Sequence, residues 1–241
     1  RDRCEPSPQR TPVLFQAGSS ERGRQFAAQH AECVFVVTTR GRERGPRGVI
    51  EDIRRRAVRC GRDPADLRFF QGLSVVVGGT EQEARAKESD YLEQLSTDAI
   101  LAHMSGSFGV DLSTTDPDRP LEELETESIR GVVKGLVESA PPNTRTLRDL
   151  ARVRLAGQFL TGTPETIADA LEDWHDAGVD GFNLVYSVTP GSFVDFIDGV
   201  IPELRRRGRA QREYTPGTFR EKLFGRARLP ENHPGAGYRR G

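Results

Sequence analysis

The sequence has little of several features that would narrow its function at once. It carries only three cysteines, Cys4, Cys33 and Cys60, an odd number without a Cys-x-x-Cys pair. This pattern favours neither a disulfide framework nor a zinc site, and it predicts a reducing, cytoplasmic location. No apolar run approaches the roughly 20 residues that a membrane span needs, and the first residues lack the apolar stretch of a signal peptide. We therefore expect no membrane partner.

The sequence also lacks an excess of charge of either sign. It has 35 Lys and Arg against 36 Asp and Glu, which leaves a formal net charge of -1. Nucleic-acid-binding proteins usually show a basic excess, so we expect no nucleic-acid partner. No metal-ligand pattern, Ser-His-Asp pattern or P-loop is present, and no metal is expected.

What the sequence does have is an alternation of strand and helix patterns. With 241 residues and 35% hydrophobic residues, it can bury the core of a single domain over 1–241. Strands alternating with helices predict an α/β fold with parallel pairing and right-handed crossovers. The four predicted strands lie at 11–16, 33–37, 67–77 and 181–187.

Two segments depart from this alternation. From 96 to 155 the strand pattern disappears, which predicts an inserted lid or subdomain after the third strand, with one helix near 128–138. From 208 to 241 the chain is rich in Arg, Gly and Pro, so we expect a tail that wraps the surface or is partly disordered. Four strands are too few for an eight-stranded barrel. The alternatives are a small open sheet and half of a barrel.

The clearest local signal is VLFQAGSSERG. A strand ends before Gly18, two hydroxyl residues follow, and a helix begins, so free N–H groups and the positive end of the helix dipole meet at Ser19 and Ser20. This arrangement suits a phosphate. The alternative interpretation is an ordinary serine N-cap after a glycine turn.

Three segments resemble one known family. SPQRTPVLFQAGSSERGRQFAAQHAECVFV resembles the middle of luciferase-like, FMN-dependent monooxygenases, and within them the group that acts on nitrilotriacetate, dibenzothiophene sulfone and long-chain alkanes. GTPETIADALEDWHDAGVDGFNLVY resembles the last barrel helix and strand of that group. IPELRRRG with YTPGTFREKLFG resembles its C-terminal end. The segments follow the order of the family and span Ser7 to about Gly225.

The resemblance implies a fold, a reaction and a site. The family fold is a (β/α)8 TIM barrel with a long insertion after the seventh strand, so the chain would supply only the C-terminal half, strands five to eight. The implied reaction uses O2 and reduced FMN from a separate flavin reductase to oxygenate a small organic substrate. Gly18, Ser19 and Ser20 match the segment that holds the FMN phosphate. Gln16 and Ala17 would lie under the flavin or beside its ribityl chain.

Other candidates and hypotheses remain open. His103, in the predicted lid, is a candidate to approach the substrate, against an ordinary surface or capping role. Asn183 and Tyr186 lie in the last predicted strand, and one of them is expected to face the barrel interior. The competing hypothesis is a non-catalytic half-barrel, a truncated product or one part of a split enzyme, which self-associates or binds a complementary half-barrel chain. A third is an unrelated phosphate-binding α/β protein.

Overall fold

The fold is known from a computed structural model of the chain. The structure describes residues 7–18, 20–36, 46–108, 111–112, 114–123, 143–156 and 159–238. The predicted helix near 128–138 lies outside these residues. Within them, no helix combines the length and the apolar character that crossing a membrane requires.

The centre of the fold is a parallel sheet of five strands. The four predicted strands are present, but the strand count was wrong by one because a short strand precedes the last helix-strand unit. Its sequence, FLTG, has only two apolar residues, so its strand character depends on pairing with a neighbour rather than on its own pattern. The strands are β1 (Phe15–Ala17), β2 (Cys33–Val36), β3 (Arg68–Val77), β4 (Phe159–Gly162) and β5 (Gly181–Val185).

Strand β3 is the hub of the sheet. β1 pairs with β2, and β2 pairs with the first residues of β3, so that Phe15 lies beside Cys33 and Cys33 beside Arg68. The middle of β3 pairs with β5 and its end with β4. All of these pairings are parallel, so the carboxyl ends of the strands share one edge of the sheet.

Helices connect the strands and cover one face of the sheet. Pro46 begins the helix after β2, where its missing N–H costs nothing. Thr80 and Thr163 cap the helices that follow β3 and β4 through their side-chain oxygens. The helices are α1 (Glu21–His30), α2 (Pro46–Arg59), α3 (Glu81–Glu93), α4 (Thr97–Phe108), α5 (Leu147–Ala156), α6 (Pro164–Asp176), α7 (Gly191–Asp195), α8 (Ile201–Arg206) and α9 (Phe219–Phe224); a π-helical turn, Phe196–Val200, joins α7 to α8.

The helix-covered face of the sheet holds the main hydrophobic core. Val34, Phe69 and Leu73 point to this face and pack with buried helix residues such as Ile53 and Ile167. Burying such side chains stabilises a fold by about 1.5–3 kcal/mol each. This face is therefore closed to solvent.

The opposite face, here called the open face, is covered less. Phe15 at one end of it is 52% exposed and Val185 at the other is 50% exposed. Parallel sheets normally bury both faces, so this exposure is unusual for the architecture. From the strand register, the open face carries Phe15, Ala17, Cys33, Phe35, Arg68, Phe70, Gly72, Ser74, Val76, Phe159, Thr161, Gly181, Asn183 and Val185.

The segment predicted as a lid has a small hydrophobic cluster of its own. α4 and α5 pack together there, and Arg148 joins them by donating to Thr97 Oγ1 at 2.9 Å. The cluster is separate from the main core, and it consists of Ile100, Leu101, Met104, Leu112, Leu147, Leu150 and Ala151, with Leu121 packed against it.

The described part of the predicted tail, 208–238, is anchored to the rest of the chain by side-chain contacts. Thr218 and Glu221 form a capping box that starts α9. On that helix the Arg220 side chain is 0% exposed and pairs with Glu32, also 0% exposed, with nitrogen-oxygen distances of 2.8 Å. The Arg220 guanidinium also donates to the carbonyl oxygens of Thr11 and Pro12, just before β1. The tail therefore fixes the start of the first strand.

Candidate phosphate and flavin site

The loop between β1 and α1 has the conformation that its glycine predicts. Gly18 has φ of +128°, a conformation that residues with a Cβ rarely adopt. Ser20 is the N-cap of α1, and its hydroxyl accepts a hydrogen bond from the Gly23 N–H at 3.1 Å. Ser19 lies outside the described residues. The predicted N-cap is thus present, and the anion site predicted for this loop stays a prediction.

A second glycine brings the loop and the helix together. A Cβ at Gly23 would lie 2.8 Å from the Gly18 carbonyl oxygen, so only glycine allows this close approach. The first N–H groups of a helix have no partner within the helix. At this end of α1 those of Glu21 and Arg22 have no partner among the described residues, and the Ser20 hydroxyl beside them is exposed.

Gln16 and Ala17 lie on opposite faces of β1. Ala17 pairs with Phe35 and belongs to the open face, where it is exposed. Gln16 pairs with Val34 on the helix-covered side, and its amide donates to the Ala17 carbonyl at 2.6 Å. The Gln16 Oε1 atom is buried and has no partner among the described residues. This oxygen is a hydrogen-bond acceptor beside Gly18 to which a ligand hydroxyl could donate.

The other end of α1 is held by side chains. Buried Arg62 donates to the Ala28 and Ala31 carbonyl oxygens at 2.9 and 2.7 Å. His233, 3% exposed, bonds the His30 carbonyl through Nε2 at 3.0 Å. These contacts satisfy carbonyl groups that a helix end leaves without partners. The helix that presents the candidate phosphate site is therefore fixed in position from its far end.

His103 lies on α4 and is exposed. Its neighbour Met104 is buried in the small cluster, so packing accounts for Met104. The structure places His103 in the predicted lid segment. Its role toward a substrate stays a prediction.

The register decides which of the two last-strand candidates faces the open side. Asn183 pairs with Gly72 on the open face and is exposed. Tyr186 follows the end of β5, where its ring lies 5.8 Å from that of Phe193. Asn183 is therefore the member of the pair that faces the predicted barrel interior.

Two sets of side-chain hydrogen bonds at the carboxyl edge of the sheet were not predicted from the sequence. Glu81, the first residue of α3, accepts hydrogen bonds from the Thr166 hydroxyl at 2.6 Å and the Thr163 N–H at 3.3 Å. The Thr166 bond, the larger cause, lowers the pKa of the Glu81 carboxyl. The buried Ser192 hydroxyl accepts from the N–H groups of Ser187 and Val188, which fixes the loop after β5. The Glu81 contacts join residues 82 and 85 positions apart, beyond any local pattern.

Other chemistry finds little support among the described residues. Burial raises the pKa of the Cys33 thiol to about 12, with the Glu32 charge adding to the effect, so Cys33 stays a neutral thiol. In the described ranges, no three His, Cys, Asp or Glu side chains are grouped as metal ligands would be. The arrangement is best suited to hold an anionic ligand by backbone N–H groups and a hydroxyl.

Comparison with known proteins agrees with the parallel sheet. Dimethyl-sulfide monooxygenase of Hyphomicrobium sulfonivorans is 45% identical over 242 residues, which are 98% of this chain and 50% of that protein. The crystal structure of DmoA from the same organism superposes with a TM-score of 0.83 at 44% identity, over 98% of this chain and 51% of that one.

Two further proteins are similar to this chain. One was solved with a flavin, and the other is named as a component of its monooxygenase. A riboflavin lyase solved with modified FMN and riboflavin has a TM-score of 0.77 at 39% identity, over 98% of this chain and 52% of that one. Nitrilotriacetate monooxygenase component A of Aminobacter aminovorans is 35% identical, over 90% of this chain and 49% of that protein. The chain thus spans about half the length of the relatives it matches.

The family model of luciferase-like monooxygenases matches residues 2–181. That match covers more than half of the sequence and includes β1, the Gly18 loop and α1. The chain belongs to the luciferase-like monooxygenase family.

Proposed function

We propose that the chain is the C-terminal, phosphate-binding half of an FMN-dependent monooxygenase barrel, with β1, β2, β3 and β5 as barrel strands five to eight. The observation that carries the proposal is the cradle of Gly18, Ser20 and Gly23 at the carboxyl end of β1. Active sites of such barrels lie at the carboxyl ends of their strands. Family membership adds the expectation that the anion held there is the FMN phosphate.

The residues present fit that cofactor. Ser20 and the first N–H groups of α1 offer donors to a phosphate, and Ser19 is proposed to add a second hydroxyl. The unpartnered Gln16 Oε1 offers an acceptor to a hydroxyl of the ribityl chain. Ala17, exposed on the open face, leaves room for the flavin beside the strand.

When bound in its reduced form, FMN supplies the electrons for the reaction of O2 with a small organic substrate. One oxygen atom enters the substrate and the other leaves as water. The protein contributes binding, orientation and exclusion of water. We assign the segment 96–155 the role of a lid over the carboxyl edge, with His103 as the group that approaches the substrate.

A flavin reductase is the proposed source of the reduced cofactor. One relative is named component A of its monooxygenase, which supports a separate partner component. The substrate is proposed only as a small organic molecule, because the described residues contain no pattern that selects among the substrates of the relatives.

The experiment is a fluorescence titration of FMN into the 241-residue chain. We expect saturable quenching, and we expect the double variant Ser19→Ala with Ser20→Ala to weaken binding by about 1–3 kcal/mol, as for lost hydrogen bonds to a charged group. Thr80→Ala is the matched control, because Thr80 caps α3 just as Ser20 caps α1. Equal FMN affinity in the wild type and the double variant would remove the cradle from the site.

A second candidate function is a non-catalytic half-barrel that depends on a complementary chain. The exposure of Phe15 and Val185 favours it, and exposed apolar side chains continue past β5 at Val188, Val194 and Ile197. In the described part of the sheet, β1 pairs only with β2, and β5 only with β3. A partner with further strand-helix units would cover the open face and pair with both outer strands, β1 and β5, at once.

Mixing the chain with the N-terminal half of dimethyl-sulfide monooxygenase of Hyphomicrobium sulfonivorans tests this candidate. We expect a one-to-one complex by light scattering, weakened by Val185→Lys on the open face. Oxygenation in the mixture but not in either half would support a split enzyme. A chain that remains monomeric, with FMN binding of its own, would contradict the need for a partner.

A further inference from the structure

The two outer strands of the sheet, β1 and β5, both lie beside exposed apolar side chains. Beside β1, the rings of Phe15 and Phe219 are stacked 6.4 Å apart, and each is about half exposed. At and after β5, the exposed apolar side chains are Val185, Val188, Val194 and Ile197. An outer strand with unpaired backbone groups and an apolar surface favours pairing with another chain.

The pairing of β3 shows that β1 and β5 are the outer strands. Ser74 pairs with both Phe159 of β4 and Val185 of β5, so β4 and β5 lie on opposite sides of β3. β2 also lies opposite β5, because both strands pair with Phe70. The short β4 therefore continues the line of β2. Within the described residues, the free sides of the sheet are those of β1 and β5.

A second copy of this chain has the size and the charge that suit the open face. The chain spans about half the length of its relatives, so two copies of β1, β2, β3 and β5 supply as many strands as a (β/α)8 barrel has. Arg68 is the one charged residue that the register places on the described open face. Its Nε lies 3.8 Å from the Asp180 carboxylate, so two facing copies bring no uncompensated like charges together.

The register predicts which residues of two copies meet. One line of register runs from Ala17 through Phe35 and Phe70 to Gly181, which puts small residues on the outer strands and rings on the inner ones. A (β/α)8 barrel has a shear of about eight residues, so each of two identical seams takes about four. A shift of that size along β5 leads from Gly181 to Val185, and the opposite shift leaves the strand. Ala17 of one copy is thus placed beside Val185 of the other.

We propose that the 241-residue chain forms a two-fold homodimer in which β1 of each copy pairs in parallel with β5 of the other. The two-fold axis runs along the strands, so the sheet closes into a barrel and both open faces are covered. Both Gly18 loops then lie at the same rim. The proposal rests on the half-barrel assignment of the proposed function, and it does not depend on flavin binding.

The test measures the mass of the chain by light scattering, with and without charges at the proposed seam. We expect twice the mass of one chain for the wild type. Val185→Lys and Ala17→Asp should each weaken self-association at least about tenfold, because the two-fold axis buries each unpaired charge twice. An equimolar mixture of the two variants should form a dimer again, since one seam then joins opposite charges and the other is unchanged.

Val58→Lys is the matched control, because Val58 is 58% exposed on α2, on the helix-covered side of the sheet. Circular dichroism confirms the fold of each variant before the measurement. A dimer that persists in Val185→Lys uses another surface and overturns the proposal. A mixture of Val185→Lys and Ala17→Asp that stays monomeric overturns the pairing of β1 with β5.

A monomeric wild type also overturns the homodimer, and it does so equally if that monomer binds the N-terminal half of dimethyl-sulfide monooxygenase. Titration of FMN into the same samples separates this result from the proposed function. A monomer that binds FMN overturns the homodimer alone. A dimer that Val185→Lys disrupts but that binds no FMN overturns the flavin assignment alone.

Discussion

The two edges of the sheet differ in how completely their polar groups are used. At the amino edge, the fully buried Arg220 donates to Glu32 and to the Thr11 and Pro12 carbonyl oxygens. At the carboxyl edge, Ser20 is exposed and the Thr161 hydroxyl has no partner among the described residues. The Arg220 guanidinium thus has its hydrogen bonds completed within the chain, whereas the Thr161 hydroxyl keeps unused capacity.

The difference separates stability from function. In (β/α)8 barrels, the architecture proposed above, the amino face contributes stability and the carboxyl face carries the chemistry. A binding site must keep donors and acceptors available for its ligand, so it cannot also satisfy them internally. Substitutions at the amino edge should therefore lower the free energy of unfolding most, and those at the carboxyl edge should mainly change ligand affinity.

The largest effect is expected for Arg220→Met. The substitution leaves the Glu32 carboxylate buried without its partner, which costs about 3–5 kcal/mol of unfolding free energy. Urea unfolding followed by circular dichroism measures the loss. The double variant Arg220→Met with Glu32→Leu should recover part of it, because no buried charge then remains unpaired. A loss below about 1 kcal/mol in the single variant would show that this pair does not hold the edge together.

His233→Ala is the second variant at the amino edge. The His233 ring bonds the His30 carbonyl and also accepts from the Gly235 N–H at Nδ1, at 3.0 Å each. Because Nδ1 accepts, the ring is neutral and Nε2 carries the proton. Losing these buried bonds should lower the unfolding free energy by about 1–3 kcal/mol.

The same ring makes stability depend on pH. Burial, the main cause, lowers the pKa of His233 below its ordinary value of 6.5, and the Arg62 charge adds to the shift, while the His30 carbonyl and the Glu32 charge oppose it. Between these two pKa values His233 is protonated in the unfolded chain and neutral in the folded chain. The free energy of unfolding therefore falls as pH decreases from about 6.5 to the lower pKa of the folded chain. Urea midpoints at pH 7 and pH 5 measure the slope, which should shrink in His233→Ala. An unchanged slope would assign the effect to another group.

At the carboxyl edge, Ser20→Ala should cost about 1 kcal/mol of stability, as for any lost N-cap. Thr80→Ala should cost a similar amount, because its hydroxyl accepts from the Glu83 N–H at 3.1 Å in the same way. The two caps should differ only in FMN titrations, where Ser20→Ala alone weakens binding. Equal FMN affinities in the two variants would show that Ser20 acts only as a helix cap.

Local sequence patterns predicted the parts of the molecule that depend on neighbours in the chain. The strand of Cys33–Val36, the cap at Ser20 and the glycine turn at Gly18 were all predictable, since apolar runs, hydroxyl caps and positive φ are local properties. The strand Phe159–Gly162 was not, because it forms by pairing with β3.

The candidate site followed the same division. The Gly18–Ser20 motif is visible in the sequence. The two faces of β1 and β5 depend on register, so Gln16 and Ala17 could not be separated and Asn183 could not be placed in advance. The contact between Arg220 and Glu32 joins residues 188 positions apart, beyond any local pattern.

The smallest effect on stability is expected for Thr161→Val at the carboxyl edge. The Thr161 hydroxyl is buried without a described partner, and replacing an unpaired polar group by an apolar one of the same shape is nearly neutral or stabilising. The urea midpoint of this variant should equal or exceed that of the wild type. A loss above about 1 kcal/mol would mean that the hydroxyl already has a partner in the folded chain. The Thr161 hydroxyl would then have no hydrogen-bonding capacity left for a ligand.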